Sequence, residues 1–232
     1  MLYTTVTNYN QNQLLIILAC LILSILSQSI ITKAYSKYSK ISASCNITGA
    51  EIALKFLNNQ GIYDINVVPV HGMLSDHYDP TNKTIRLSKD VYYGTSIASI
   101  SIACHEAGHA IQHSEGYAML VVRNKLIPLV NVANRFSWIL IFIGLLLGSF
   151  NLLMTGLVLF GIIALFQFIT LPVEFNASKR ALNYLNQTVL VDSEYAGAKK
   201  VLTSAAFTYV AALLVSILQI LRFAMMFTNR RR

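Results

Sequence analysis

From Phe136 to Val173 the chain runs for 38 residues without a single charged side chain. About 20 apolar residues suffice to cross a bilayer as one helix. The stretch is therefore too long for one span and fits two, with Gly148-Ser149-Phe150-Asn151 as the turn between them. Two helices joined in this way form a hairpin whose outer ends emerge on one side of the membrane. The segments before Pro128 and after Pro172 must then share a compartment. Pro128 is expected in the first turn of the earlier helix, where its missing N–H costs little, and Trp138 toward the interface as an anchor.

Two further runs are long enough to span. Leu14 to Ile31 is uncharged over 18 residues, and a last apolar run covers Ser204 to Leu221. Only 12% of the whole chain is charged, about half the usual share of a globular domain, near 25%. So few charges cannot cover the surface of a soluble enzyme. Disorder is excluded as well, since its mark is low hydrophobicity with high charge density. The expected division is an N-terminal tail (1–13), spans at 14–31, 128–148, 152–173 and 204–221, water-facing segments at 32–127 and 174–203, and a basic tail (222–232). A cleaved signal peptide is disfavoured for the first run, because Met1 to Gln13 contains no Lys or Arg.

The net charge of +8, from 18 Lys and Arg against 10 Asp and Glu, is read first as a topology signal. Nothing basic precedes the first span, whereas Lys33, Lys37 and Lys40 follow it directly. The positive-inside rule then places the N-terminus outside and the water-facing segments 32–127 and 174–203 in the cytoplasm, in a multi-pass protein of the plasma membrane. Four spans leave Arg230-Arg231-Arg232 outside, against 13 basic residues assigned inward, and early positive charge usually dominates. No cluster of aromatic and basic residues supports nucleic-acid binding. Cys20, Cys45 and Cys104 have no CxxC spacing, and an odd count with one inside an apolar run points to free thiols.

Within the water-facing part, Ile52, Ala53, Phe56 and Leu57 recur at helical spacing between Thr48 and Asn59, and Gly61 ends the run. Ile65 to Val70 reads as a strand, and Pro69 marks it as an edge. Asp79-Pro80-Thr81-Asn82 is a turn, followed by an alternating strand, Thr84 to Leu87. The fold class expected is mainly α and integral to the membrane. It has about four transmembrane helices and a small α+β core carrying a short β-hairpin.

The chemistry lies in His105-Glu106-Ala107-Gly108-His109, an HExxH motif on a helix expected over 96–114. Residues four apart on an α-helix differ by about 40° in azimuth and about 6 Å along the axis. Two imidazoles so placed can converge on one ion at about 2.0–2.1 Å each. Glu106 lies one step round, within reach of a water on the metal without ligating it, and can take the water's proton as it attacks a carbonyl. Ile97, Ile100, Cys104, Ala107 and Ile111 would form the buried face. Small Ala107 and Gly108 leave room beside the ligands. His113 extends the series but stands about 12 Å along the axis from His105, too far to share the ion. A substrate contact, a supporting role or a plain polar helix end remain for it. His71 and His77 are expected at the surface.

These residues carry a resemblance. His105 to His113, Tyr78-Asp79-Pro80 with Ile85-Arg86-Leu87-Ser88, Leu171-Pro172-Val173-Glu174-Phe175 and Ala206 to Ala212 resemble the bacterial membrane zinc metallopeptidases called YugP-like, over about Leu14 to Leu221. The resemblance implies an integral-membrane zinc endopeptidase with a zincin-like α+β catalytic core, distantly akin to the heat-shock membrane proteases and CAAX prenyl proteases. It implies one Zn²⁺, two zinc histidines, a catalytic glutamate and a third ligand from the segment after the hairpin. The chain departs at Asn176, where the resemblance implies Asp, so a supporting carboxylate is not expected there. The same His-Glu-Ala-Gly-His string occurs in membrane AAA proteases, but this chain has no GxxxxGK phosphate loop.

For the third ligand the downstream acids are Glu115, Glu174, Asp192 and Glu194. Glu115 is turned away from the histidine pair, and Asp192 and Glu194 follow what reads as a loop at Asn186-Gln187-Thr188, a poor place to position a ligand. Glu174 is expected to open a helix two residues after Pro172, at a rigid bundle end. The competing reading is an interfacial Glu paired with Arg180 or Lys179. Arg180, Tyr184, Tyr195 and His113 are candidates to contact substrate or stabilise the oxyanion. The expected reaction is hydrolysis of peptide bonds in membrane or membrane-proximal proteins. Two alternatives stay open: a non-catalytic zinc-bearing scaffold, and a site-2-type protease whose motif lies inside a span. Nothing in the residues indicates an oligomeric state.

Overall fold

A computed structural model describes residues 2–72 and 75–230. Four of its helices are long and apolar enough to cross a membrane: α1 (Leu2–Tyr38), α5 (Ala118–Leu147), α6 (Phe150–Thr188) and α7 (Asp192–Arg230). Between α1 and α5 lie α2 (Gly49–Asn59), β1 (Asn66–Val70), β2 (His77–Asp79), β3 (Thr84–Ser88), α3 (Lys89–Tyr92) and α4 (Ile97–Ser114). The mainly helical membrane fold with a small sheet is the one expected from the sequence.

The long helices overrun their expected bounds. α1 is helical from Leu2, through the stretch read as a tail. Pro128 stands inside α5, not in its first turn, and Pro172 inside α6, so Glu174 continues a helix where it was expected to open one. α6 runs on to Thr188, and the break expected at Asn186 falls after it, at 189–191. Proline removes one backbone bond and crowds the preceding turn, but membrane helices tolerate it where neighbouring groups satisfy the freed carbonyl. Arg231 and Arg232 of the basic tail lie outside the described residues.

The chain divides into two compact units, one of residues 1–28, 123–170 and 208–232 and the other of 29–122 and 171–207. In the first, α5 and α6 turn at Gly148, whose φ of 65° suits glycine. The two helices then lie backbone to backbone: a Cβ at Gly144 would meet Leu153 N at 2.5 Å, and one at Gly156 would meet Ser137 O at 2.9 Å. Small residues at such crossings drive helix association in lipid. Trp138, expected as an interfacial anchor, packs edge-on to Phe160 and Phe223 at 5.3 and 5.8 Å between centroids.

The second unit is built around α4. Its N-cap Ser96 accepts from Ser99 N, and Gly116 follows its end in the left-handed region at φ 64°. The five residues expected on its buried face, Ile97, Ile100, Cys104, Ala107 and Ile111, are all buried. α2 packs alongside, started by a capping box in which Thr48 and Glu51 exchange hydrogen bonds. The sheet has the order β1-β3-β2. β3 is central and carries fully buried Ile85 and Leu87, while Pro69 sits on edge strand β1, where its missing donor is harmless. The hairpin is β2–β3, antiparallel across the Pro80–Lys83 turn, whereas β1 runs parallel to β3 with Asn66 opposite Thr84. The three-residue β2 is too short to have left a periodic signal in the sequence.

Candidate metal centre

Three side chains from two helices meet. α4 projects His105 and His109, one turn apart and edge-to-face, with ring centroids 4.7 Å apart. α6 brings Glu174 against them: its Oε2 lies 3.2 Å from His105 Nε2 and 3.6 Å from His109 Nε2. All three ligand atoms fall within 4.8 Å of one another. Glu174 is only 2% exposed, so its charge sits where a cation must accompany it. Burial pulls the His109 pKa down, but the adjoining carboxylate of Glu174 more than offsets this and holds it above the ordinary range.

The close approach of the two helices depends on Gly108. A Cβ there would meet Ala177 O at 2.9 Å and Ala177 Cα at 3.2 Å. Hydrogen bonds hold the far nitrogens of both imidazoles. His109 Nδ1 is 3.0 Å from Gln112 Oε1, and His105 Nδ1 is 3.1 Å from Ser178 Oγ. Gln112 Nε2 donates to Val173 O at 2.8 Å and to Asn176 Oδ1 at 2.9 Å. Asn176 Oδ1 also accepts from Arg180 Nε at 2.7 Å, and the Arg180 guanidinium pairs bidentately with Glu115.

Glu106 is buried on α4 beside the pair, and its carboxylate has no hydrogen bond to the described residues. His113 Nδ1 meets Tyr78 OH on β2 at 2.8 Å. Arg180 is engaged by Glu115 and Asn176. Tyr184 stacks on Phe56 at 4.2 Å, and Tyr195 packs against the same apolar core, so neither is gathered with the three converging side chains. Glu194 caps elsewhere, accepting from Ser44 N at 2.7 Å and Ser44 Oγ at 3.0 Å. His77 is exposed, with Nδ1 2.7 Å from Ser75 O. All three cysteines are free. Sequence reasoning missed Gln112 and Ser178 altogether, and the only hint was that each is polar on a helix face otherwise given to packing.

The family described as "Putative neutral zinc metallopeptidase" matches residues 13–228. The chain belongs to that family. A relative is the "Putative membrane protease YugP" of Bacillus subtilis (strain 168), 50% identical over 215 residues that make up 92% of this chain and 96% of the relative. No solved structure matches. The donor set suits the family's metal. Two imidazole nitrogens and one carboxylate oxygen are the ligand types and number of a catalytic zinc site, which leaves a coordination position open. The hydrogen bonds on both Nδ1 atoms are of the kind that orients histidines at zinc sites.

Proposed function

We propose that this membrane metallopeptidase is an endopeptidase cutting peptide bonds in membrane or membrane-proximal proteins, with its catalytic face in the cytoplasm. One zinc ion is held by His105, His109 and Glu174, and Glu106 is the general base. The observation that carries this reading is the convergence of the two Nε2 atoms on Glu174 Oε2 with Glu106 on the next position of the same helix.

When bound, zinc supplies a Lewis acid for the substrate carbonyl and lowers the pKa of an attacking water toward about 7. The chain supplies the rest. Glu106 accepts the water's proton and returns it to the leaving amine. Glu106, His109 and Glu174 are buried on the closely packed α4–α6 face, where the lower local dielectric strengthens these charge interactions. Gly108 keeps the two ligand-bearing helices in register.

A zinc-bearing scaffold needs a closed site with four protein ligands, and only three gather here among the described residues. Against a site-2-type protease, α4 is not among the helices long and apolar enough to span. The deciding experiment is Glu106→Gln in the purified, metal-loaded protein. Zinc stoichiometry should stay at the native value while proteolysis falls by about 100-fold or more. Native turnover in that variant would remove Glu106 from the reaction.

A further inference from the structure

We propose that Gln112 is a positioning residue that fixes the tautomer of His109 and ties it to the helix turn bearing Glu174. The proposal rests on the zinc reading above. Gln112 is fully buried, at 0% exposure, and its amide bridges α4 to α6.

The direction of every hydrogen bond in this chain of contacts follows from its ends. Arg180 Nε can only donate, so the atom of Asn176 facing it at 2.7 Å must be the carbonyl oxygen. The backbone oxygen of Val173 can only accept. Gln112 therefore turns its NH2 toward α6, to Asn176 Oδ1 at 2.9 Å and Val173 O at 2.8 Å. Its carbonyl oxygen is then committed to His109, and an oxygen there requires the proton on His109 Nδ1, 3.0 Å away. The lone pair is left on Nε2, the atom that faces Glu174. His105 has no such determination, because its Nδ1 partner is the Ser178 hydroxyl, which donates or accepts.

Position 112 thus needs an acceptor toward α4 and a donor toward α6 in one side chain. A carboxylate lacks the donor, and an apolar side chain of similar length lacks both. Val173 precedes Glu174 in sequence, so the bond to Val173 O also holds the third ligand's backbone. The chain of contacts ends at the Arg180–Glu115 ion pair at the rim.

The test uses full-length protein in detergent, with zinc affinity measured by chelator competition, Co²⁺ absorption spectra, and kcat and KM separately. Gln112→Glu and Gln112→Met should each weaken zinc binding by about 10- to 100-fold. Both should shift the Co²⁺ spectrum and lower kcat with little change in KM. Arg180→Met serves where those variants fail to fold: it frees Asn176 to turn its amide, and its zinc affinity should fall below native. Native affinity and an unchanged Co²⁺ spectrum in the folded Gln112 variants, or in Arg180→Met where it stands in for them, would overturn the proposal while leaving the zinc site intact. A native protein that takes up no zinc would instead overturn the underlying reading, and this one with it.

Discussion

Substituting Gly108 by alanine separates metal affinity from fold stability. Two effects of opposite sign meet at this position. Alanine inside a helix is favoured over glycine by about 1 kcal/mol. Against that, the new methyl would lie 2.9 Å from Ala177 O and 3.2 Å from Ala177 Cα, whereas carbon contacts rest at about 3.5–4.0 Å. The obstacle is backbone, which cannot rotate away, so α4 and α6 must part by roughly 0.5 Å, and overpacking of this kind costs about 1–3 kcal/mol. The net loss of stability is about 0–2 kcal/mol, which a membrane protein can absorb. The proposed metal centre cannot, because its candidate ligands sit on the two separated helices and productive geometry tolerates about 0.5 Å at most. Gly108→Ala should therefore retain helical content and melt near the native temperature, yet bind zinc about 10-fold more weakly or worse. Chelator competition and thermal melts in the same detergent read both quantities. Gly161→Ala, where an added Cβ meets nothing within 4 Å, is the control and should keep native zinc affinity. Native zinc affinity in Gly108→Ala would refute the claim that this helix contact sets the ligand geometry.

Three other outcomes are expected. Glu174→Ala should cut zinc affinity and abolish activity, whereas Glu194→Ala, which loses its bonds to Ser44 and to Val191 N, should keep its metal; zinc analysis showing the reverse would move the proposed third ligand. Single cysteines at Lys83 and Lys179 should be shielded from an impermeant reagent added to intact cells, because the charge asymmetry around the first span puts both inside; labelling would invert the orientation. Burial raises the pKa of Asp76 although Ser88 N and Oγ donate to it. Its ionisation therefore opposes folding, and stability falls as pH rises from the unfolded value, about 3.9, through the raised folded one. Asp76→Asn should melt above native at pH 7, with the gap closing below pH ~3.9; an equal gap at both pH values would show that the charge is not the cause.

What the sequence made legible were features whose geometry is local or whose cost is high. An i, i+4 pair of histidines specifies its own convergence, because helix geometry alone places both rings on one face. Glu174 stood out because a carboxylate directly after 38 uncharged residues is too costly to be incidental. Proline misled for a related reason. The helix-interior penalty predicts breaks at Pro128 and Pro172, but the apolar surroundings of α5 and α6 leave the backbone no alternative to continuing helical. One strand went unread because β2 has only three residues, and it is β2 that pairs antiparallel with β3 while β1 runs parallel to it.

Gln112, Asn176 and Ser178 carry no charge, and a neutral polar residue on a helix has an inexpensive default, which is to face water. Only the facing of α4 on α6 turns Gln112 inward to full burial, and its acceptors on α6 lie 61 and 64 positions away in sequence. Once buried, the default is gone and every polar atom must find a partner, so the network becomes obligatory at the moment the helices pack. Gly108 links the two levels. It sits inside the motif as a variable position, yet it is the residue whose missing side chain lets the helices close. The motif thus specifies the histidine pair, and the contact at Gly108 decides whether Glu174 and the groups that orient the two imidazoles can reach it.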